Sequence, residues 1–159
     1  LDFDAHHGDG TEEILADRPG VRFLSLFQWP LFPHRRMEPT PSNAVLSPLP
    51  AGAGGEDIRN VVENVWLPEI DKFQPDLMIL SAGFDAHCEE RIAQLKAGEM
   101  DYACVTRLLV EASFAYCEGR LVSVLEGGYE LRSLARSVFT HLQGLIRNPL
   151  PAETCKDPN

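Results

Sequence analysis

Apolar and polar positions along the chain fall into alternating short blocks. VRFLSLFQW (21–29) alternates and is rich in β-formers, which predicts a strand. PDLMILSAG (75–83) and GRLVSVLEGG (119–128) carry apolar runs that end in glycine, the pattern of strands buried on both faces of a parallel sheet. Between and after them the apolar spacing becomes helical. Ile58, Val61, Val62, Val65 and Ile70 share one helical face, with Pro68 expected to kink or break it. The stretch from Met100 to Cys117 has the same period, and Leu134, Val138, Leu142 and Leu145 mark a closing amphipathic helix. Near the start, GTEEILAD (10–17) reads as a short helix capped by Thr11, with Glu12 and Glu13 in its first turn. Residues 30–55 hold six prolines among Gly, Ser and Asn, and are expected to form a long functional loop.

Strands alternating with helices predict one open α/β domain over 1–159, a mostly parallel sheet with helices on both faces. The 44% hydrophobic content supports a packed core. No apolar run approaches the roughly 18 residues of a membrane span, and no signal peptide opens the chain, so a soluble, cytoplasmic protein with no membrane partner is expected. A net charge of −10 argues against nucleic acid as a partner. The cysteines (Cys88, Cys104, Cys117, Cys155) lack CxxC pairing and are expected to be reduced thiols.

In parallel sheets ligands sit beyond the carboxyl ends of the strands, and here three strand ends carry polar clusters: DFDAHH, SAGFDAH and EGGY. Asp4 and His6, two apart in an extended segment, project to the same face and can share one ion. Asp85, just past a hydrophobic strand, is a candidate third ligand. Two carboxylates and one imidazole suit a catalytic divalent ion, Zn²⁺ first, with Fe²⁺ or Mn²⁺ as alternatives. The same residue types also serve as caps and hydrogen-bonding residues at strand ends, so spacing leaves both readings open.

DFDAHHGDGT, SAGFDAH and LEGGYEL, in this order, resemble the zinc-dependent histone deacetylase family, including its acetylpolyamine and acetoin-utilisation-type relatives, on the arginase/deacetylase α/β fold. The resemblance covers about residues 1–146. It implies Asp4, His6 and Asp85 as zinc ligands and Tyr129 as the catalytic group that hydrogen-bonds the acyl oxygen, presented by Gly127 and Gly128. It further implies a structural K⁺ near the zinc, held through Asp2, Asp4, His6, Ser25 and Leu26. Phe32 and Ile92, with the two glycines, would line the acyl channel, and Asp2, Asp9 and His7 would lie just behind the ligands. The substrate class implied is an acylated amine, a protein lysine or a polyamine.

The family's tandem general-base histidines lie upstream of the first zinc motif, and this sequence has no room for them. The chain is therefore expected to be the C-terminal part of a deacetylase domain, truncated inside a strand, so whether it acts as an enzyme by itself is left open. Feeble turnover is one expectation. The rival is a catalytically incomplete remnant that binds or self-assembles, with a homo-oligomer formed through an exposed sheet edge. Two segments depart from the family pattern: FPHRR (32–36), and HCEERIAQL (87–95) in place of an Asp-Asp-Pro-like turn. His87 reads as a loop residue and His141 as a helix-surface residue.

Overall fold

In the computed structural model, which describes residues 1–34 and 39–146, the chain runs through α1 (Asp9–Leu15), β1 (Phe23–Gln28), β2 (Ala44–Leu49) and α2 (Gly55–Val61). A π-helical stretch (Val62–Trp66) leads into α3 (Leu67–Phe73), followed by β3 (Met78–Ala82), α4 (Glu99–Cys117), β4 (Leu121–Leu125) and α5 (Leu131–Leu145). β1 pairs parallel with β2, Phe23 beside Ala44, and β3 pairs parallel with β4, Met78 beside Leu121. The opening residues join the two pairs, because Asp2 bridges Ser25 on one side and Ser81 on the other in parallel sense. The Leu26 N–H donates to Asp2 O (3.0 Å), and the Ser81 N–H donates to Leu1 O (2.9 Å). The order across the sheet is thus β2, β1, residues 1–3, β3, β4. Parallel neighbours need crossovers: α1 lies between residues 1–3 and β1, and α4 between β3 and β4, while α2 and α3 carry the chain from the outer strand β2 to β3. This is the expected parallel α/β fold.

Burial departs from the sequence reading on both sides of the central segment. β1, next to the central segment, is buried along its whole length rather than on alternate residues. β3 and β4 are covered on one side only, and Ile79 beside Val122, together with Val124, lies exposed. An apolar run reports a surface that demands cover on both faces; it does not say that the cover lies within the same residues. β2 falls inside the proline-rich stretch read as loop. It is the outer strand among the described residues, where Pro48 is tolerated because an edge strand leaves half its N–H groups unused.

The helices show three further differences. α1 starts at Asp9 after Gly8, so Thr11 lies inside it instead of capping it. Pro68 does not break its helix. The Leu67 N–H reaches back five residues to Val62 O, closing the π-helical stretch, and Pro68 then falls in the first turn of α3, where a missing N–H costs little. In α5 the fully buried stripe is Ser133, Ser137 and His141, while Leu142 is exposed. Small residues let α5 approach α4 closely: a Cβ on Gly144 would meet the Thr106 methyl at 2.8 Å. Cys88 and Cys117 are free thiols, but Cys104 is disulfide-bonded, against expectation; Cys155 lies outside the described residues. No helix of the described residues is long and apolar enough to cross a membrane.

Phe3, Leu24, Leu26, Trp66, Leu80, Phe84 and Leu109 anchor a core that runs under the whole sheet. Each such side chain contributes about 1.5–3 kcal/mol by leaving water. Phe3 and Phe84 matter most for the site, since each immediately precedes an acidic residue at a strand end.

Candidate active site

Alternation along the opening segment buries Phe3 and Ala5 and turns Asp4 and His6 toward the carboxyl end of the sheet. Asp85, wholly buried, reaches the same point from the loop after β3. His6 Nδ1 lies 3.0 Å from Asp4 Oδ1 and 2.8 Å from Asp85 Oδ2, and one donor atom from each of the three residues falls within 4.8 Å of the others. The convergence is enforced by backbone. Asp85 Oδ1 accepts the Ala5 N–H (2.8 Å), Asp4 Oδ1 accepts the His6 N–H (2.8 Å), and Asp4 Oδ2 accepts the Gly127 N–H (2.8 Å). Asp85 Oδ2 is buried and, despite its proximity to His6, has no hydrogen bond of acceptable geometry.

The electrostatics call for positive charge there. The hydrogen bond to Asp4, then the close Asp85 carboxylate, outweigh burial and push His6 up to about 10. Burial raises Asp4, but hydrogen bonds from His6 and Gly127 more than offset it and leave its carboxyl below the ordinary range. At Asp85 burial prevails and raises the carboxyl. Two carboxylates around one imidazole, with an unpartnered buried oxygen between them, form a donor set that a divalent cation satisfies. The walls are glycine for a steric reason: a Cβ on Gly83 would run into Asp4, and one on Gly127 into both Asp4 and Asp85.

An aromatic layer undercuts this floor. Phe3, Phe84 and Tyr102 contact one another with ring centroids 5.0–5.9 Å apart, and the His141 ring stands against Phe3 (6.2 Å) and Phe84 (5.5 Å). His141 is therefore a core residue and not a surface one. Its Nδ1 meets Thr106 Oγ1 at 2.6 Å and its Nε2 meets Ser123 Oγ at 2.8 Å. Because the Thr106 hydroxyl donates to Tyr102 O, the Nδ1 carries the proton and Nε2 accepts from Ser123. Burial pulls His141 down to about 4.

Tyr129 follows Gly127 and Gly128 at the end of β4 and is 64% exposed. Gly128 has φ of 132°, open only to glycine without strain. Burial, then the negative charges of Asp85 and Asp4, raise the phenol pKa, so the group stays a hydrogen-bond donor. Phe32 stands edge-on to His6, with ring centroids 6.4 Å apart, and is 67% exposed; Ile92 is exposed on the segment after Asp85. Phe32 thus lies at the rim, and neither residue belongs to the core.

The remaining expected residues are arranged behind the group. Asp2 is buried, accepts the Asp4 N–H (3.1 Å), and is pushed up to about 7, chiefly by burial. Beside it Ser25 is wholly buried, its hydroxyl without a hydrogen-bond partner, next to Leu26. His7 turns away from the centre: its Nε2 pairs with the buried Glu12 (2.6 Å) and its ring packs on Phe27 (4.4 Å). Asp9 opens α1 and accepts the Gly10 N–H. His87 is buried, with Nδ1 accepting the Glu89 N–H (3.1 Å). His34 sits at φ of 59° in the turn after Phe32, while Arg35 and Arg36 lie outside the described residues. Sequence reasoning missed Glu90, which accepts two backbone N–H groups at the Tyr129 turn. No local signal marks it, since its role depends on a contact about 40 residues away.

Comparison with known proteins gives a consistent result. The family model "Histone deacetylase domain" matches residues 1–145. A probable deacetylase of Archaeoglobus fulgidus is 38% identical over 82% of this chain and 38% of its own length. The polyamine deacetylase HDAC10 of Homo sapiens is 33% identical over 95% of this chain and 24% of its own. The crystal structure of the HDA15 HD domain superposes with a TM-score of 0.84 at 29% identity, covering 96% of this chain and 45% of that one. The chain thus spans less than half the length of these relatives.

Proposed function

The chain belongs to the histone deacetylase family, and from that premise we propose that it carries the metal-binding and carbonyl-polarising part of an amide hydrolase acting on an acylated amine. The observation that supports this reading best is the convergence of Asp4, His6 and Asp85 donor atoms on one point, where Asp85 Oδ2 is buried without a hydrogen bond and Asp4 Oδ2 is tied to the Gly-Gly-Tyr turn through the Gly127 N–H. These three residues would hold Zn²⁺, with Fe²⁺ as the alternative. When bound, such an ion supplies Lewis acidity toward the acyl carbonyl and toward water. The chain's own groups do the rest. Backbone N–H groups of His6 and Gly127 hold both oxygens of Asp4, and that of Ala5 holds Asp85 Oδ1, which leaves Asp85 Oδ2 without a backbone donor. The Tyr129 phenol, kept protonated, donates to the acyl oxygen as negative charge develops there. Phe32 and Ile92 flank the approach of the acyl chain.

A structural K⁺ at Asp2, with Ser25 and Leu26 and the backbone around Asp4 and His6, agrees with the orphaned Ser25 hydroxyl and the buried Asp2 carboxyl. The general base is the weak point. His6 belongs to the metal group, His7, His87 and His141 are each committed to buried contacts, and His34 is exposed in the turn beyond Phe32. Turnover by this chain alone is accordingly expected to be feeble, because a positioned base contributes roughly 10²–10⁴-fold. The substrate is an acetylated lysine peptide or an acetylated polyamine, the class that the deacetylase relatives suggest.

The test is zinc loading of the purified chain followed by metal analysis and deacetylation of an acetyl-lysine peptide, with a chelated sample alongside. Stoichiometric zinc and chelator-sensitive turnover are the expected result; a chain that retains no zinc at all overturns the reading. A second reading, a non-catalytic self-assembling module, is favoured by the exposed apolar side of β3 and β4 (Ile79, Val122, Val124). It requires a concentration-dependent oligomer in sedimentation, and a strictly monomeric species removes it.

A further inference from the structure

Resting on the role given to Tyr129 above, we infer that Glu90 is a positioning residue whose carboxylate clamps the backbone presenting the phenol. Its Oε1 accepts both the Tyr129 N–H (2.7 Å) and the Glu130 N–H (2.8 Å). Glu130 is the cap of α5, so these two donors stand at the helix entrance, where N–H groups have no partner inside the helix. An anionic acceptor satisfies both with charge-assisted bonds and complements the positive end of a 15-residue helix.

The turn needs such a clamp. Its first residue is fixed to the floor, through Gly127 N–H to Asp4 and Phe84 N–H to Gly127 O (2.8 Å). Gly128 follows, and the Tyr129 side chain is largely exposed, so packing contributes little to holding the phenol. The backbone bonds to Glu90 fix the far side of the turn. Glu90 is itself braced: its neighbour Glu89 pairs with Arg136 (2.6 Å) on α5, Arg136 also pairs with Glu99 at the start of α4, and the buried His87 takes the Glu89 N–H. The segment that departs from the family pattern at 87–95 thus ties the tyrosine turn to the metal-site loop. It is a brace, and the phenol is what it aims.

The experiment compares the zinc-loaded wild type with Glu90→Ala, Glu90→Gln, Tyr129→Phe and the double variant E90A/Y129F. Amide hydrogen exchange at residues 129 and 130 should speed up about tenfold or more in Glu90→Ala, the signature of a lost hydrogen bond, while β4 is unchanged. Glu90→Gln, whose amide oxygen still accepts both donors, should exchange nearly as the wild type does. Turnover of an acetyl-lysine peptide should fall about 10–100-fold in kcat for Glu90→Ala, with KM and zinc content little changed, and Glu90→Gln should recover most of it. In the double variant the Glu90 effect should vanish, since no phenol remains to be aimed. Unchanged exchange in Glu90→Ala overturns the inference, as does a full Glu90 effect persisting without the phenol. A wild type that binds no zinc and turns over no substrate overturns the functional reading instead, and the exchange comparison still decides the clamp.

Discussion

The floor of the site and its rim are built on opposite principles. On the floor, Asp85 is wholly buried, three backbone N–H groups fix the two carboxylates, and an aromatic layer supports the residues that precede them. At the rim, Tyr129 and Phe32 are each about two-thirds exposed, and Tyr129 is held through backbone bonds to a single carboxylate. Donor atoms around an ion must stay within a few tenths of an ångström, so redundancy below is needed. A rim that admits a substrate must leave its side chains in solvent. Losses should therefore be all-or-none on the floor and graded at the rim.

Asp85→Ala gives the largest expected effect. It removes the orphaned oxygen and strips the Ala5 N–H of its acceptor, so zinc content should drop to background and turnover with it. A variant that keeps its zinc would mean that the floor is not a metal site. Tyr129→Phe comes next: loss of the donor should lower turnover about 10²–10³-fold with zinc unchanged, the mirror image of the floor variant. If zinc is lost as well, floor and rim are not separable. Gly127→Ala sits where they join. Its Cβ would press on both Asp4 and Asp85, and zinc affinity should weaken about 10–100-fold. Equilibrium dialysis against a competing chelator measures it.

The floor was also the more legible region in the sequence. Asp4 and His6 alternate in an extended segment, and Asp85 follows an apolar strand, so local rules bring them to one end of the sheet. What stayed hidden depends on contacts distant in sequence. Glu90 acquires its role from a turn about 40 residues on. His141 looks like a surface histidine until α5 is seen to pack a Ser133, Ser137, His141 stripe inward. β2 was lost to its prolines, which only an edge position makes acceptable. The apolar runs of β3 and β4 named the strands correctly but misjudged their burial, because hydrophobicity states a demand for cover and not the source of it.

His141 should show the smallest effect at neutral pH and reveal itself only in acid. Its folded pKa is about 4 against 6.5 for the free side chain, lowered by burial. A depressed value means that the neutral form is the one the fold accommodates. The stability is therefore fully present above pH 6.5, and it declines as pH falls from there toward 4, where the unfolded chain takes up a proton that the folded chain refuses. The loss approaches roughly 3 kcal/mol at the lower end. The residues that meet its ring nitrogens, Thr106 and Ser123, are neutral, and burial alone sets the shift. Urea unfolding of the wild type and His141→Gln between pH 7.5 and 4.5 isolates the contribution. The variant should start less stable and lose less, so the two curves converge in acid. Parallel curves would mean that His141 titrates freely and that the layer beneath the floor is open to water. The floor would then owe its rigidity to the backbone bonds alone, and its contrast with the rim would narrow to the three N–H groups that hold Asp4 and Asp85.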